Sequence, residues 1–245
     1  MGVIYFNRRP STDFGIIVES FPSINRGSRR GDGYKIAGRN GTFYQDEATY
    51  DNYVQAYDIA IREKNRGAAA RCADIAAWLM APTGNFLRLE DTFEPEYYKL
   101  ARFAGPLNIK QILGHVGRCT LEFECQPERW LKSGEIPIET TSTSLTIHNP
   151  TLYRAKPLIT ITRTGTTDIS IGNTSYMSIA GATSYPTVVI DCDAGTIRSG
   201  TTNLYGTTTF YRTYNDFPTL AQEVDTTINA TNATKISVVP RWYVL

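Results

Sequence analysis

Glu122 and Glu124 are the residues whose type and spacing come nearest to a catalytic arrangement. They lie in the segment Cys119–Cys125, where apolar and polar residues alternate as in a half-buried strand. Their carboxyl groups would share one face, roughly 7 Å apart, close to the roughly 6.5–9.5 Å of inverting glycosidases. The same alternation is the ordinary polar face of a strand, and such a hydrolase also needs a cleft that raises one carboxyl pKa. The alternation favours the interpretation that Glu122 and Glu124 belong to the ordinary polar face of a strand.

The two histidines, His115 and His148, add no catalytic group. They are far apart in the sequence, and the chain has no Gly-x-Ser-x-Gly motif that would mark a serine nucleophile. We expect both to be surface or packing residues. The sequence predicts no catalytic residue and no enzyme.

The four cysteines, at 72, 119, 125 and 192, form no Cys-x-x-Cys pair and have no histidine at metal-ligand spacing. Cys119 and Cys125 would lie roughly 20 Å apart on one strand at about 3.3 Å per residue, beyond disulfide reach. We expect free thiols, no metal site and no cofactor.

The stretch 22–33 is predicted to be a long exposed loop because Pro, Gly, Ser and Arg dominate it. Arginine is enriched at protein interfaces, so we expect Arg26, Arg29 and Arg30 to contact a neighbouring subunit or another protein. The same stretch contains the Arg-Gly-Asp adhesion tripeptide at 30–32, but three residues recur by chance. The interface is the favoured interpretation.

Three tyrosines of the second half, Tyr205, Tyr211 and Tyr214, are candidates for glycan contact. Aromatic rings can stack on sugar rings, and the surrounding Thr and Asn residues supply hydrogen bonds. The alternative is that the three rings fill a core or an interface, as aromatic side chains usually do.

Most of the first half is predicted to be β-structure, because aromatic and β-branched runs alternate with turn formers. The dipeptide Asn40-Gly41 favours a two-residue hairpin turn. The predicted strands are 14–19, 34–37, 42–45, 53–62, 86–90, 97–103 and 118–125.

Residues 67–80, GAAARCADIAAWLM, break this pattern and predict one amphipathic helix that covers a face of the β-structure. Asn65 is the expected N-cap, and Pro82 with Gly84 is the expected stop. The predicted apolar stripe consists of Cys72, Ile75, Ala76 and Leu79.

The second half predicts a separate β-sandwich. Residues 1–133 contain 6 Thr and residues 134–245 contain 25, so the two halves have different surfaces. Short Thr-, Ile- and Val-rich strands follow one another with Gly and Asn turns between them. We expect a mainly β protein of two β-sandwich domains, with the boundary near Lys132-Ser133-Gly134. The predicted strands are 145–148, 158–163, 168–171, 175–179, 187–191, 196–199 and 236–239.

The overall charge gives no reason to expect recognition of nucleic acid or membrane, because the 245-residue chain has a formal net charge of only +1. No apolar run approaches the roughly 18 residues of a membrane span, and the N-terminal apolar stretch is too short for a signal peptide. We expect a protein made soluble in the cytoplasm.

Landmarks along nearly the whole chain resemble the distal tail protein family of long-tailed phages. They begin with Gly38–Thr42 and the helix that ends near Trp78-Leu79, and include Ala155–Ile161 after Asn149-Pro150. Further landmarks are Tyr97–Arg102, Thr120–Pro127, Trp130–Gly134, Asp216–Leu220 and the ending Pro240-Arg241-Trp242. The residues after Leu220 depart from the family pattern, which has a Pro-Gly-x-Asn turn where this chain has Ala221–Val224.

The resemblance implies a structural virion protein, a hexameric ring at the distal end of the tail. Residues 1–133 would form the tail-tube-like ring domain, residues 134–239 a galectin-like outer domain, and 240–245 would return to the first domain. The expected partners are further copies of the chain, the tail tube protein, the tail-tip fibre protein, the tape measure protein and a receptor-binding protein. DNA would pass through the channel without being recognised, and assembly would take place in the host cytoplasm.

Two alternatives from other classes remain open at this point. One is a carbohydrate-binding module for host-surface adhesion, motivated by the aromatic and Thr-rich second half. The other is a glycoside hydrolase that uses Glu122 and Glu124.

Overall fold

The computed structural model describes residues 2–62, 68–81, 85–113, 116–181, 184–205, 210–212 and 216–245. The chain divides into two compact units: unit 1 is Met1–Arg129 with Leu245, and unit 2 is Trp130–Val244. The fold is mainly β, and the described residues contain one α-helix, α1 (Ala68–Met80). Short 3-10 turns lie at Ser11–Phe14 and Lys132–Glu135.

Strands β1 to β10 begin in unit 1, although the last two residues of β10 belong to unit 2. They are β1 (Ile4–Phe6), β2 (Arg9–Pro10), β3 (Ile16–Val18), β4 (Arg29–Tyr34), β5 (Phe43–Tyr50), β6 (Tyr53–Arg62), β7 (Leu87–Asp91), β8 (Tyr97–Phe103), β9 (Lys110–Leu113) and β10 (Val116–Leu131).

The main sheet of unit 1 has the strand order β2-β1-β7-β8-β10-β6-β3, and β9 also pairs with β10. The sheet curls so far that Gly2 pairs with Val18 of the opposite edge strand. Two walls therefore face each other across one core: the Tyr57 hydroxyl of β6 reaches Asp91 of β7 at 2.6 Å. The predicted sandwich is thus built from one curled sheet.

The core of unit 1 follows from strict alternation in its two longest strands. Leu121, Phe123 and Cys125 of β10 are fully buried, whereas Glu122 between them is exposed, as the sequence predicted. The β6 strand alternates in the same way and pairs in register with β10, with Tyr57 opposite Leu121. A period of two places every second side chain on the inner face.

Helix α1 packs against this core through Ile75, Trp78 and Leu79, which are all buried. The Trp78 indole N–H donates to the Phe6 carbonyl at 3.0 Å, and its ring stacks on Phe14. The predicted amphipathic helix is confirmed over Ala68–Met80. The predicted helix start at 67, the Asn65 N-cap and the Pro82–Gly84 stop lie outside the described residues.

Strands β4 and β5 form a separate two-stranded sheet, connected through 35–42, which we call the arm. The prediction of a loop throughout 22–33 is therefore wrong for 29–33, and the predicted strand 34–37 shares only Tyr34 with β4. Asn40-Gly41 lies in the connection as predicted, but this connection is longer than a two-residue turn. The arm thus extends further than the predicted hairpin, because both strands are exposed and no burial pattern marks their bounds.

Unit 2 contains two antiparallel sheets whose inner faces share one core, with Ile159, Ile161, Ile190, Ile228 and Ile236 fully buried. In the described residues, one sheet has the order β11-β21-β13-β16-β17-β18 and the other β12-β20-β14-β15-β19. The strands are β11 (Ile138–Thr140), β12 (Ser144–His148), β13 (Leu158–Arg163), β14 (Thr167–Ile171), β15 (Thr174–Ile179), β16 (Thr187–Asp191), β17 (Thr196–Ser199), β18 (Thr202–Asn203), β19 (Phe210–Arg212), β20 (Asp225–Ala230), β21 (Ala233–Val239) and β22 (Tyr243–Val244).

The Pro-Arg-Trp ending closes the core of unit 2. Trp242 is buried in that core, and a Cβ on Gly134 would lie 2.5 Å from the Trp242 nitrogen, so glycine is required for this approach. Arg241 donates to both carboxylate oxygens of Asp191, at 2.7 and 3.1 Å. Residues 240–244 group with unit 2 and Leu245 with unit 1; the expected return of 240–245 to the first domain stays a prediction.

Candidate interaction surface: the arm and its root

The arm exposes apolar side chains on a sheet that has no core of its own. Tyr34, Ile36, Phe43 and Tyr44 are each about half exposed, at 48%, 48%, 47% and 51%. A two-stranded hairpin in water is marginally stable at best. Something other than burial must therefore hold this arm in shape.

Two ion pairs connect the strands of the arm. The Arg29 Nε donates to Asp46 Oδ1 at 2.8 Å, and the Arg30 Nε donates to Asp51 Oδ1 at 2.7 Å. Asp51 also accepts from the Ser28 hydroxyl at 2.9 Å. The hydrogen bond from Arg29 lowers the pKa of Asp46, and that from Arg30 lowers the pKa of Asp51. Both carboxylates are charged at neutral pH.

Asp46 also stabilises a bulge in β5. The pairing of the arm shifts between Arg29 and Gly31, and Ala48 has a φ of +54°, which is unusual for a residue other than glycine. The Ala48 N–H donates to Asp46 Oδ1 at 2.9 Å. One carboxylate thus supports both the bulge and the bond to Arg29.

Gly31 explains how a glycine-rich stretch becomes a strand. A Cβ at this position would lie 2.5 Å from the Gln45 carbonyl oxygen and 2.6 Å from the Tyr44 ring. The missing side chain lets the Tyr44 ring lie against the strand. Because 30–32 is extended and Arg30 binds Asp51, the Arg-Gly-Asp tripeptide does not form a protruding loop.

The chain that leads into the arm, residues 23–28, is anchored to β6, and we call this segment the root. The buried Gln55 side chain donates to the Ser23 carbonyl at 3.0 Å, and the Asn25 side chain donates to the Val54 carbonyl at 2.6 Å. A Cβ on Gly27 would lie 2.0 Å from the Asp51 carbonyl oxygen. The direction in which the arm leaves this root is thus fixed by short contacts.

Arg26 joins the root to a charged network in unit 1. Its guanidinium lies 3.6 Å from one Glu94 carboxylate oxygen, and the Lys99 ammonium group lies 2.8 Å from the other. Burial raises the pKa of Glu94, but the bond to Lys99 and the charges of Lys99 and Arg129 outweigh it and lower the pKa. Lys99, whose side chain is 4% exposed, also pairs with Asp91 at 3.2 Å.

The predicted arginines are therefore together, since Arg26 lies in the root and Arg29 and Arg30 in the arm. Sequence analysis missed their carboxylate partners Asp46, Asp51 and Glu94. Asp46 and Asp51 are 17 and 21 residues from their arginines. The signal that was available is the presence of three acidic residues, Asp46, Glu47 and Asp51, soon after the predicted strand 42–45.

Of the three predicted glycan contacts, Tyr205 is the one whose side chain the structure describes. Tyr205 is 46% exposed and stacks on Phe217, with ring centroids 6.5 Å apart. The backbone of Tyr211 pairs with Ser178 in β15, but its side chain lies outside the description. Tyr214 lies outside the described residues.

Glu124, one of the two carboxylates suggested for glycoside hydrolysis, does not match the role of general acid. Glu124 accepts from Asn52 at 2.7 Å and from Arg102 at 2.7 Å, and these two bonds lower its pKa. A general acid of a glycosidase needs the opposite shift. His148 lies exposed beside Asp225 at 2.8 Å, and His115 is outside the described residues.

No metal site is found in the described ranges. These residues contain no cluster of three or more His, Cys, Asp or Glu side chains that could hold a metal ion. The four cysteines are free, and burial raises the pKa of Cys125 and Cys192 to about 12. No helix within the described part of the chain is long and apolar enough to cross a membrane.

Comparisons with known proteins give a likeness in structure and none in sequence. No family model matches the chain, and no curated protein matches its sequence. A structural match covers 100% of this chain and 100% of the other, with a TM-score of 0.75 and 15% sequence identity. That chain is the Dit protein of phage SPP1, described as a paradigm of the hub adsorption apparatus in phages that infect Gram-positive bacteria. The protein therefore has the fold of a phage Dit protein over its entire length.

Proposed function

We propose that this protein is a structural component of a phage tail, a distal tail protein that forms a ring-shaped hub between the tail tube and the tail tip. The observation that carries the proposal is the full-length structural likeness to a hub protein. Residues 1–133 serve as the ring domain and 134–239 as the outer domain. The protein is not an enzyme and resides in the virion, after assembly in the host cytoplasm.

The arm supplies a surface for contact between subunits. It exposes four large apolar side chains, and its own ion pairs already fix its shape, so little conformational freedom is lost when a neighbour covers it. A closed ring needs two different surfaces on each subunit, and the exposed apolar side chains of the arm would serve as one of them. Arg26, Arg29 and Arg30 lie at this contact.

The ring is a hexamer whose channel passes the tape measure protein and then DNA in transit. Its faces bind the tail tube protein and the tail-tip fibre protein, and the outer domain holds a receptor-binding protein. Electron microscopy of the purified protein, with light scattering to count subunits, tests the ring. Six-fold rings with a central hole are expected. A tail in which the protein is absent from the distal end would overturn the proposal.

A charge swap tests the arm within this proposal. Arg29→Asp combined with Asp46→Arg restores the pair inside the arm but reverses the charge at position 29, and Asp46→Ala alone controls for the lost bond from the Ala48 N–H. Rings should weaken in the swap if Arg29 also contacts a neighbour. The matched control swaps Lys235 and Glu139, an exposed pair in unit 2 at 2.8 Å, which should leave rings intact. Intact rings in both swaps would show that Arg29 does not lie at the interface.

A second candidate function is glycan binding by unit 2. An exposed polar ladder crosses β12 and β20, where Thr146 bonds Thr227 at 2.9 Å and His148 bonds Asp225. The ladder offers hydroxyl contacts to a sugar, and Tyr205, which follows β18 of the other sheet, offers a separate exposed aromatic ring. A glycan array with the purified protein tests this function, and absence of binding to any glycan would rule it out.

A further inference from the structure

The connection of the arm contains Asn40-Gly41, which is the only Asn-Gly dipeptide in the chain. Both residues are exposed. Gly41 has a φ of +84°, and nothing lies within 4 Å of the position that a Cβ would occupy. Within the described part of the chain, the Arg39 N–H donates to the Ile36 carbonyl at 3.2 Å, and neither Asn40 nor Gly41 takes part in a hydrogen bond.

We propose that Asn40 is a site of spontaneous deamidation. The Gly41 backbone nitrogen attacks Cγ of Asn40, the new N–Cγ bond forms as the Cγ–Nδ2 bond breaks, and the proton from Gly41 leaves with the amide group as ammonia. Water then opens the five-membered succinimide at either carbonyl, which gives aspartate or isoaspartate. The reaction needs no metal, oxidant or enzyme.

The local structure favours this reaction at the tip and opposes it elsewhere in the arm. Glycine has no Cβ to shield its nitrogen, and an unpaired connection leaves the backbone free to rotate. In a paired strand the backbone ψ is held near about +135°, which keeps the next nitrogen away from the side-chain carbonyl. Asp32-Gly33 lies in such a strand, opposite Gln45 and Tyr44.

The modification changes the charge of the arm tip. The connection 35–42 contains Lys35 and Arg39 and no acidic residue. Deamidation places a carboxylate directly after Arg39, so the net charge of the connection falls from two positive charges to one. The isoaspartate product also adds a methylene group to the backbone at the tip.

Peptide mapping by mass spectrometry tests the proposal, after incubation of the folded protein in mildly alkaline buffer. The matched control is Asp32→Asn, which creates the same dipeptide in paired strand β4. We expect loss of the amide at position 40 with isoaspartate as the main product, and a several-fold slower loss at position 32 in the control. Asn40→Gln should retain its amide, because attack on the longer side chain needs a larger ring.

Two results would overturn the inference. One is an amide at position 40 that persists as long as the introduced amide at position 32. The other is a mass gain in the arm peptide of the Asn40→Gln variant, which would place the reaction at another residue. Circular dichroism before and after incubation verifies that each sample stayed folded.

Discussion

The arm and the sandwich of unit 2 are both made of antiparallel strands, but different forces hold them. In the sandwich, β13 and β16 pair so that Ile159 lies opposite Ile190, and both are fully buried. In the arm, Tyr34 lies opposite Phe43, and both are about half exposed. The sandwich is stabilised by its own core, whereas the arm relies on ion pairs and keeps apolar surface available for a partner. A strand pair without a core is therefore the place to look for an interface.

The largest effect should come from the sandwich core. Ile161→Ala removes fully buried methyl and methylene groups and should lower the free energy of unfolding by about 2–5 kcal/mol. Tyr44→Ala in the arm should change it by no more than about 0.5 kcal/mol, because the ring is half exposed. Denaturant unfolding of the two variants measures both. Equal losses would show that the arm is part of a cooperative core and would break the comparison.

The charged network of unit 1 should give an effect of the same size as the sandwich core. Lys99→Met leaves the buried Asp91 carboxylate without its cation and should cost about 3–5 kcal/mol. Arg102→Met removes a partner of Glu124 at the surface and should cost about 0–1 kcal/mol. Thermal or denaturant unfolding distinguishes them. A small loss in Lys99→Met would mean that the network contributes little to folding.

The stability of unit 2 should depend on pH through Asp191. The bond from Arg241 is the largest cause that lowers the pKa of Asp191, from 3.8 to about 2. A carboxyl whose pKa is depressed stabilises the fold above pH 4, and this contribution, about 1–2 kcal/mol, is lost as the pH falls from about 4 to about 2. Asp191→Asn should flatten the acid limb of the stability curve in that window. An unchanged acid limb would contradict the assignment.

The smallest effect on global stability is expected for the ion pairs of the arm. Asp46→Ala removes the partner of Arg29 and of the Ala48 N–H, yet these groups lie in water, so the unfolding midpoint should not move measurably. The arm itself should open more often, because its bulge loses support. Limited proteolysis should cut the variant within 29–50 faster than the parent protein. Unchanged cleavage would show that the ion pairs do not hold the arm.

The sequence by itself determined the features that rest on local pattern. Alternation over 119–125 predicted the inner face of β10, and Ala-rich helical spacing predicted α1, because burial of one face leaves a period in the residues. The Thr-rich second half predicted a β-sandwich for the same reason. The spacing of Glu122 and Glu124 came nearest to a catalytic one, and Glu124 is bound to Arg102 and Asn52.

The strands of the arm and their ion-pair partners could be assigned only from the tertiary structure. Its strands are exposed on both faces, so no burial period distinguishes 29–34 from a loop, and its glycines argue against a strand. The partners that make it a strand are distant in sequence: Asp46 for Arg29, Asp51 for Arg30, and Glu94 for Arg26 in the root. Charge pairs leave no periodic trace because one contact depends on two residues whose separation is set by the path of the chain. The arginines could therefore be chosen from their type, but their partners could not.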